Sequence, residues 1–351
     1  MARLTPLAAT GIGSVPFTEA GEAAALILDY LPQMPFWPQM VRLDFREEMN
    51  PQAARGLPTL KVDPAARAVA VDPDEPRDEA LARFYEAALA GDLTPFGLEP
   101  QEARGFFALL AEAAARGGAS PALKGQLSGP VTLAGSVKDP QGKPILYDRE
   151  LTQAVCQGLA LKGAWQAKQF RELGKDAVVF FDEPYLSGFG SAYLPISREE
   201  VIELLTQTLE AARRPGPVTL GVHCCGNTDW SMLMAAPIDV LSFDSFGYFE
   251  NLRLYGQALK EFLDRGGWLA WGLVPTDGER LAGETAGSLW SRFQEQATGL
   301  ADLGVKPVEV LSQSLLTPAC GMGYLTVEAA RRVLTLLAEL SARAREWLAS
   351  F

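Results

Sequence analysis

The chain contains a single histidine and four cysteines, and two of those cysteines directly follow the histidine, as His223-Cys224-Cys225. In an extended strand, side chains two apart point to the same face. His-x-Cys therefore aims the imidazole of His223 and the thiol of Cys225 into one space, with Cys224 facing the other way. Asp244 and Cys320 stand just past two later apolar runs. Imidazole, two thiolates and a carboxylate make a tetrahedral shell suited to zinc, and thiolate-rich donors favour zinc over magnesium or calcium. The plainer alternative is a satisfied buried histidine beside core thiols. Asp182-Glu183-Pro184 closes another apolar run, either as a solvated strand exit or as part of a site. Cys156 falls on the apolar face of a helical pattern, and the cysteine set does not resemble a disulfide framework.

These residues need strands to carry them. Near-continuous apolar runs predict strands over Ala9–Val15, Ala122–Ser128, Ala177–Phe181, Val218–His223, Val240–Phe243, Trp268–Leu273 and Glu309–Leu315, with a less clear one near Met40–Phe45. Helical patterns alternate with them, which predicts parallel βαβ units. Ser197 and Glu200 form a capping box opening a helix over Arg198–Arg213. After Asp148, Cys156, Leu159, Gly163, Ala167 and Phe170 share one helical face, as do Val327, Ala330, Leu334, Leu337 and Ala344 near the end. The fold class expected is α/β, a (β/α)8 TIM barrel forming one domain over 1–351, with a helical insertion at about 51–120 after the second strand. An open doubly wound sheet is the runner-up, but its glycine-rich phosphate turn is missing, since Gly11-Ile12-Gly13-Ser14 lacks the spacing. The candidate residues Ser14, Asp182, His223, Cys225, Asp244 and Cys320 all follow strand C-termini, the rim where such barrels hold their sites.

The chain's 351 residues include 48% hydrophobic and 21% charged side chains, enough apolar material for a full core. A net charge of -12 makes nucleic acid and anionic membrane poor partners. No apolar run is long enough to span a bilayer, and the N-terminal stretch lacks a signal-peptide apolar region, so the expected location is the cytoplasm.

Taken in order, Ile12-Gly13-Ser14, Gly129-Pro130-Val131-Thr132, Asp182-Glu183-Pro184, His223-x-Cys225 running on to Asp239–Asp244, and Thr317-Pro318-Ala319-Cys320-Gly321 resemble the cobalamin-independent methionine synthase family. The resemblance is to its C-terminal catalytic barrel and the shorter single-barrel relatives, and it spans nearly the whole chain. The block His223–Thr228 is equally similar to the corrinoid-dependent coenzyme M methyltransferases, which share the barrel with uroporphyrinogen decarboxylase.

The resemblance implies that His223, Cys225 and Cys320 are zinc ligands, with Asp244 where the methionine synthases have a glutamate. It implies that Asp182 binds the amino group of homocysteine and that Ile12 and Ser14 bind its carboxylate; Glu48 is the nearest candidate for a second amino-group acid. The implied activity is methyl transfer to a thiol held as a zinc thiolate, homocysteine first among acceptors, giving methionine. Folate-using members carry a second barrel for which 351 residues leave no room. A methylcorrinoid, free or on a partner corrinoid protein, is thus favoured as donor over methyltetrahydrofolate. The alternatives are a coenzyme M-type methyltransferase, a decarboxylase of porphyrin-like polyacids that would use Arg42 and Arg46 to hold carboxylates, and a non-catalytic zinc module.

Overall fold

The computed structural model describes residues 4–118 and 120–351; residues 1–3 and 119, which the expected boundaries include, lie outside them. Among the described residues a two-stranded antiparallel hairpin, β1 (Leu60–Asp63) and β2 (Ala68–Val71), precedes a six-stranded parallel sheet. That sheet runs in chain order through β3 (Ala122–Ser128), β4 (Asp176–Asp182), β5 (Thr219–Cys224), β6 (Val240–Phe243), β7 (Trp268–Val274) and β8 (Ser314–Pro318). Helices separate consecutive strands, as parallel neighbours require.

The expected strands at Ala9–Val15 and Met40–Phe45 are not regular strands. Short parallel bridges replace them: Ala9 pairs with Leu316 of β8, Ser14 with Gln39, and Phe36 with Lys124 of β3. The amides of Thr10, Gln39 and Trp37 donate to the carbonyls of Leu316, Gly13 and Lys124 at 2.9, 2.9 and 3.3 Å. The physical reasons are local. Pro35 and Pro38 remove ladder donors. Gly11 and Gly13 let other side chains press onto the backbone: a Cβ on Gly11 would stand 2.2 Å from the Phe36 ring, and one on Gly13 2.4 Å from Gln39 Oε1. The segment 40–47 is turn and 3₁₀ helix. The run expected over Glu309–Leu315 divides into helix Pro307–Ser312 and β8. The stretch 51–120 contains helices Arg77–Leu89 and Arg104–Arg116, but also the β1–β2 hairpin, so it is not helical throughout.

The predicted helices stand. Arg198–Arg213 opens on the reciprocal Ser197–Glu200 capping box. Asp148 accepts from the Leu151 amide to start Arg149–Glu172, and Thr326 accepts from Ala329 to start Val327–Leu348. Cys156, Leu159, Gly163, Ala167 and Phe170 are buried on the first of these, and Ala330, Leu334, Leu337 and Ala344 on the second.

Strand register builds the interior. Asp182 pairs with His223 and His223 with Ser242, so these side chains share one face of the sheet, together with Val178 and Phe180 lower on β4. Toward the strand N-termini this face is an apolar cluster of Ala122, Val178, Phe180, Val240, Ala270 and Leu315. Toward the C-termini it becomes Ser128, Asp182, His223, Ser242 and Thr317, all buried. The opposite face meets the helices in the main core, with Val179, Phe181, Val222, Leu241 and Trp271. Among the described residues no helix is long and apolar enough to cross a membrane.

Candidate metal centre and its pocket

His223 is the next-to-last residue of β5, and its ring is fixed from behind, with Nδ1 2.9 Å from Ser242 Oγ. The other ring nitrogen, Nε2, is buried and has no partner. A buried polar atom without a hydrogen bond is destabilising by about 1–3 kcal/mol, a cost that a ligand there would relieve. The atoms that answer are the Sγ of Cys225 and Cys320: these two and a His223 ring nitrogen all lie within 4.8 Å of one another. Two sulfurs at ~2.3 Å from a tetrahedral zinc would be ~3.8 Å apart. The donor set therefore fits zinc with a small closing movement, and the orphaned imidazole nitrogen is the observation that favours an ion there.

The two thiols stand close to each other and to the imidazole. Cys225 and His223 beside it hold the Cys320 thiol below the ordinary thiol range, while Cys320 and burial push Cys225 above it. Cys156 and Cys224 are pushed up to about 12 by burial and stay thiols, as expected of structural cysteines. Asp244 is placed differently. Its carboxylate caps helix Ser245–Arg253, accepting from the Gly247 amide at 2.8 Å, and it stands outside the three-residue ligand group. Burial raises its pKa.

The cluster lies in a cavity of about 590 Å³ lined also by Ile12, Ser14, Gln39, Glu48, Asp182 and Tyr324. Of the residues the methionine synthase resemblance points to as ligands or homocysteine contacts, Asp244 alone is missing from this lining; Arg46, which a decarboxylase would use, is missing too. Asp182 Oδ1 is buried without a partner, and burial moves the carboxyl up to about 6 against the pull of Lys124 and His223. Ser14 is held in the wall by the Gly323 amide, which donates to its Oγ at 3.3 Å. Glu48 reaches the cavity but already pairs with Arg67 at the hairpin turn.

The acidic pair is not a solvated strand exit. Glu183 turns away from the cavity and is fully buried. Its carboxylate accepts from the Val131 amide at 2.9 Å, the Thr132 amide at 2.7 Å and the Thr132 hydroxyl at 2.6 Å. Its own amide donates to the His223 carbonyl at 2.7 Å, and Gly129 donates to the Asp182 carbonyl at 2.8 Å. A Cβ on Gly129 would stand 2.3 Å from the Glu183 carboxyl carbon, which explains Gly-Pro-Val-Thr as a cradle for this side chain. Glu183 thus joins β3, β4 and β5 beside the cluster.

Sequence reasoning missed Arg67 and Tyr324 in the cavity lining, since neither stands in a patterned segment and the hairpin that carries Arg67 was read as helix. The Phe36-Trp37 segment is packed, both side chains being fully buried, with Trp37 Nε1 donating to Gln166 at 3.0 Å; only Gln39 beyond it reaches the cavity. Arg42 lines the mouth, but donates to the carbonyl of Gly323 at 2.9 Å and to those of Tyr324 and Leu325. Arg46 pairs with Asp44 at 2.7 Å. The two arginines a decarboxylase would need are therefore spent on the fold.

No family model and no curated protein matches the sequence. Solved structures do match the fold. A B12-independent methionine synthase from Shewanella sp. W3-18-1, in complex with selenomethionine, superposes with a TM-score of 0.61 at 16% identity, covering 99% of this chain and 100% of that one. A protein from Listeria monocytogenes assigned as a vitamin-B12-independent methionine synthase gives 0.60 at 15% identity, covering 97% and 98%. At these identities the likeness is one of fold.

Proposed function

We propose that the chain is a zinc-dependent methyltransferase acting on a thiol, with homocysteine the leading acceptor and methionine the product. The observation that carries the reading is the unpartnered His223 Nε2 beside the Cys225 and Cys320 sulfurs, on the wall of a cavity that also holds the unpartnered carboxylate oxygen of Asp182. The fold of the two methionine synthase structures supports it, as does their nearly complete coverage by a chain of this length. On the same basis we read the six-stranded sheet and the two bridged segments as a (β/α)8 barrel in one domain, working in the cytoplasm.

His223, Cys225 and Cys320 would hold the ion, leaving a position for substrate; Asp244 would need to leave its helix cap to become a fourth ligand. Zinc bound there supplies a cation that keeps an incoming thiol deprotonated at neutral pH. The chain's own residues do the rest. Asp182 offers a desolvated carboxylate to the substrate ammonium, and the Ile12–Ser14 turn receives the substrate carboxylate. Burial excludes water from the sulfur, and holding both ends of the acceptor turns an encounter into an oriented reaction. Cys225 and Cys320 serve as ligands and not as nucleophiles. We favour a methylcorrinoid as donor.

The test couples metal analysis to transfer assays that offer homocysteine or coenzyme M with methylcobalamin or methyltetrahydrofolate in turn. The reading predicts about one zinc per chain and methionine formation with homocysteine. Protein that carries no zinc, and gains no thiol binding when zinc is added, contradicts it. Preference for coenzyme M would favour the other methyltransferase branch, because its sulfonate end gives Asp182 no cation to bind.

A further inference from the structure

Lys124 stands in the middle of β3, and its side chain has no exposure to solvent. Burying an ammonium is strongly unfavourable unless its N–H groups find acceptors. Here they do. Nζ donates to the Ile12 carbonyl and, at 3.2 Å, to Gln126 Oε1, and it stands 4.8 Å from the centroid of the Phe180 ring. Asp182 attracts it through space. A methionine would fill the same volume without a charge, and nothing in the methyl-transfer scheme above uses this cation.

The Ile12 acceptor connects Lys124 to the cavity. Ile12 and Ser14 line it, while Gly13 between them presses on the layer that holds the ammonium: a Cβ there would stand 2.9 Å from Gln126 Cγ. Gln126 is itself fixed, donating to the Trp37 carbonyl at 2.9 Å. The turn therefore rests on a buried cation. The other cations of the cavity, Arg42 and Arg67, are committed to backbone carbonyls and to Glu48.

We propose that Lys124 is a positioning residue: its buried ammonium holds the Ile12–Ser14 turn through the Ile12 carbonyl and makes that wall the end of the cavity that receives an anionic group of the substrate, Asp182 receiving the cationic one. This rests on the reading of the cavity as a thiol site.

The test compares the zinc-loaded wild type with Lys124→Met. Hydrogen exchange in the segment 8–16 is measured without ligand. Affinities are measured for homocysteine and for 3-aminopropanethiol, which keeps the thiol and amine but lacks the carboxylate. The proposal predicts faster exchange confined to 8–16, a loss of roughly tenfold or more for homocysteine, and 3-aminopropanethiol held within about twofold. Unchanged exchange overturns it, as does an equal loss for both thiols, which is what a merely structural role would produce. If the wild type binds neither thiol, the thiol-site reading fails and the exchange result alone decides whether Lys124 holds the turn. Should Lys124→Met not fold, Lys124→Gln keeps an N–H donor without the charge and must show the same selective loss of homocysteine.

Discussion

The floor and the mouth of the cavity treat their charged groups in opposite ways. At the floor, His223 Nε2 and Asp182 Oδ1 are buried and unpartnered, and the sulfurs of Cys225, just past β5, and Cys320, just past β8, come close to the imidazole. At the mouth, Glu48 pairs with Arg67, and Arg42 donates to three backbone carbonyls. Exposed pairs of that kind contribute little, whereas desolvated groups without partners are expensive. The contrast teaches where to look for chemistry: at unsatisfied polar atoms that line a cavity beside metal-ligating side chains, since others, such as Glu47 Oε2 and Trp230 Nε1, stand elsewhere in the fold.

Substitutions can break or sharpen this contrast. The largest effect is expected behind the floor. Ser242→Ala removes the group that orients the His223 ring, and zinc affinity measured by chelator competition should fall ~10–100-fold. Next comes Glu183→Gln, which replaces one carboxylate oxygen by an N–H₂ facing N–H donors; urea unfolding should show a loss of about 1–3 kcal/mol. Lys162, buried on helix Arg149–Glu172 beside Glu102 and Arg55, asks whether charge burial alone marks function. Burial lowers its pKa to about 8 from 10.5, so between those values the unfolded chain binds more protons and stability should rise with pH. Lys162→Met should abolish that rise, add ~2–3 kcal/mol of stability at pH 7 and leave zinc content unchanged. The smallest effect is at the mouth, where Arg67→Ala should change stability by less than ~1 kcal/mol. A larger loss there would erase the distinction between mouth and floor.

The floor was legible because it is written in rare residues at strand ends. A lone histidine, a thiol two places on and a second thiol after the last apolar run need only strand periodicity to converge, and they do. Asp244 did not join them, because a strand-end aspartate is also an ideal helix cap and the Gly247 amide was nearer in sequence. Five of the six sheet strands were readable as apolar runs and the sixth was placed too early, over what is mostly helix Pro307–Ser312, whereas the 9–15 and 36–39 segments are shaped by glycine and proline contacts that no run of residues reveals. The hairpin was hidden for a related reason: Ala68–Val71 is a four-residue strand of mixed exposure whose turn contains Arg67 at φ 49, with no glycine to announce it. Lys124 was invisible, since lysine in a strand ordinarily reads as a solvent-facing residue.

The central claim is that His223, Cys225 and Cys320 hold one zinc ion with a place left for a substrate thiol. X-ray absorption at the zinc edge, recorded with and without homocysteine, tests it most directly. The account predicts one zinc per chain bound by one imidazole and two sulfurs, with a third sulfur at ~2.3 Å once homocysteine is added. Protein without zinc after reconstitution, or a coordination shell that homocysteine leaves unchanged, would contradict it.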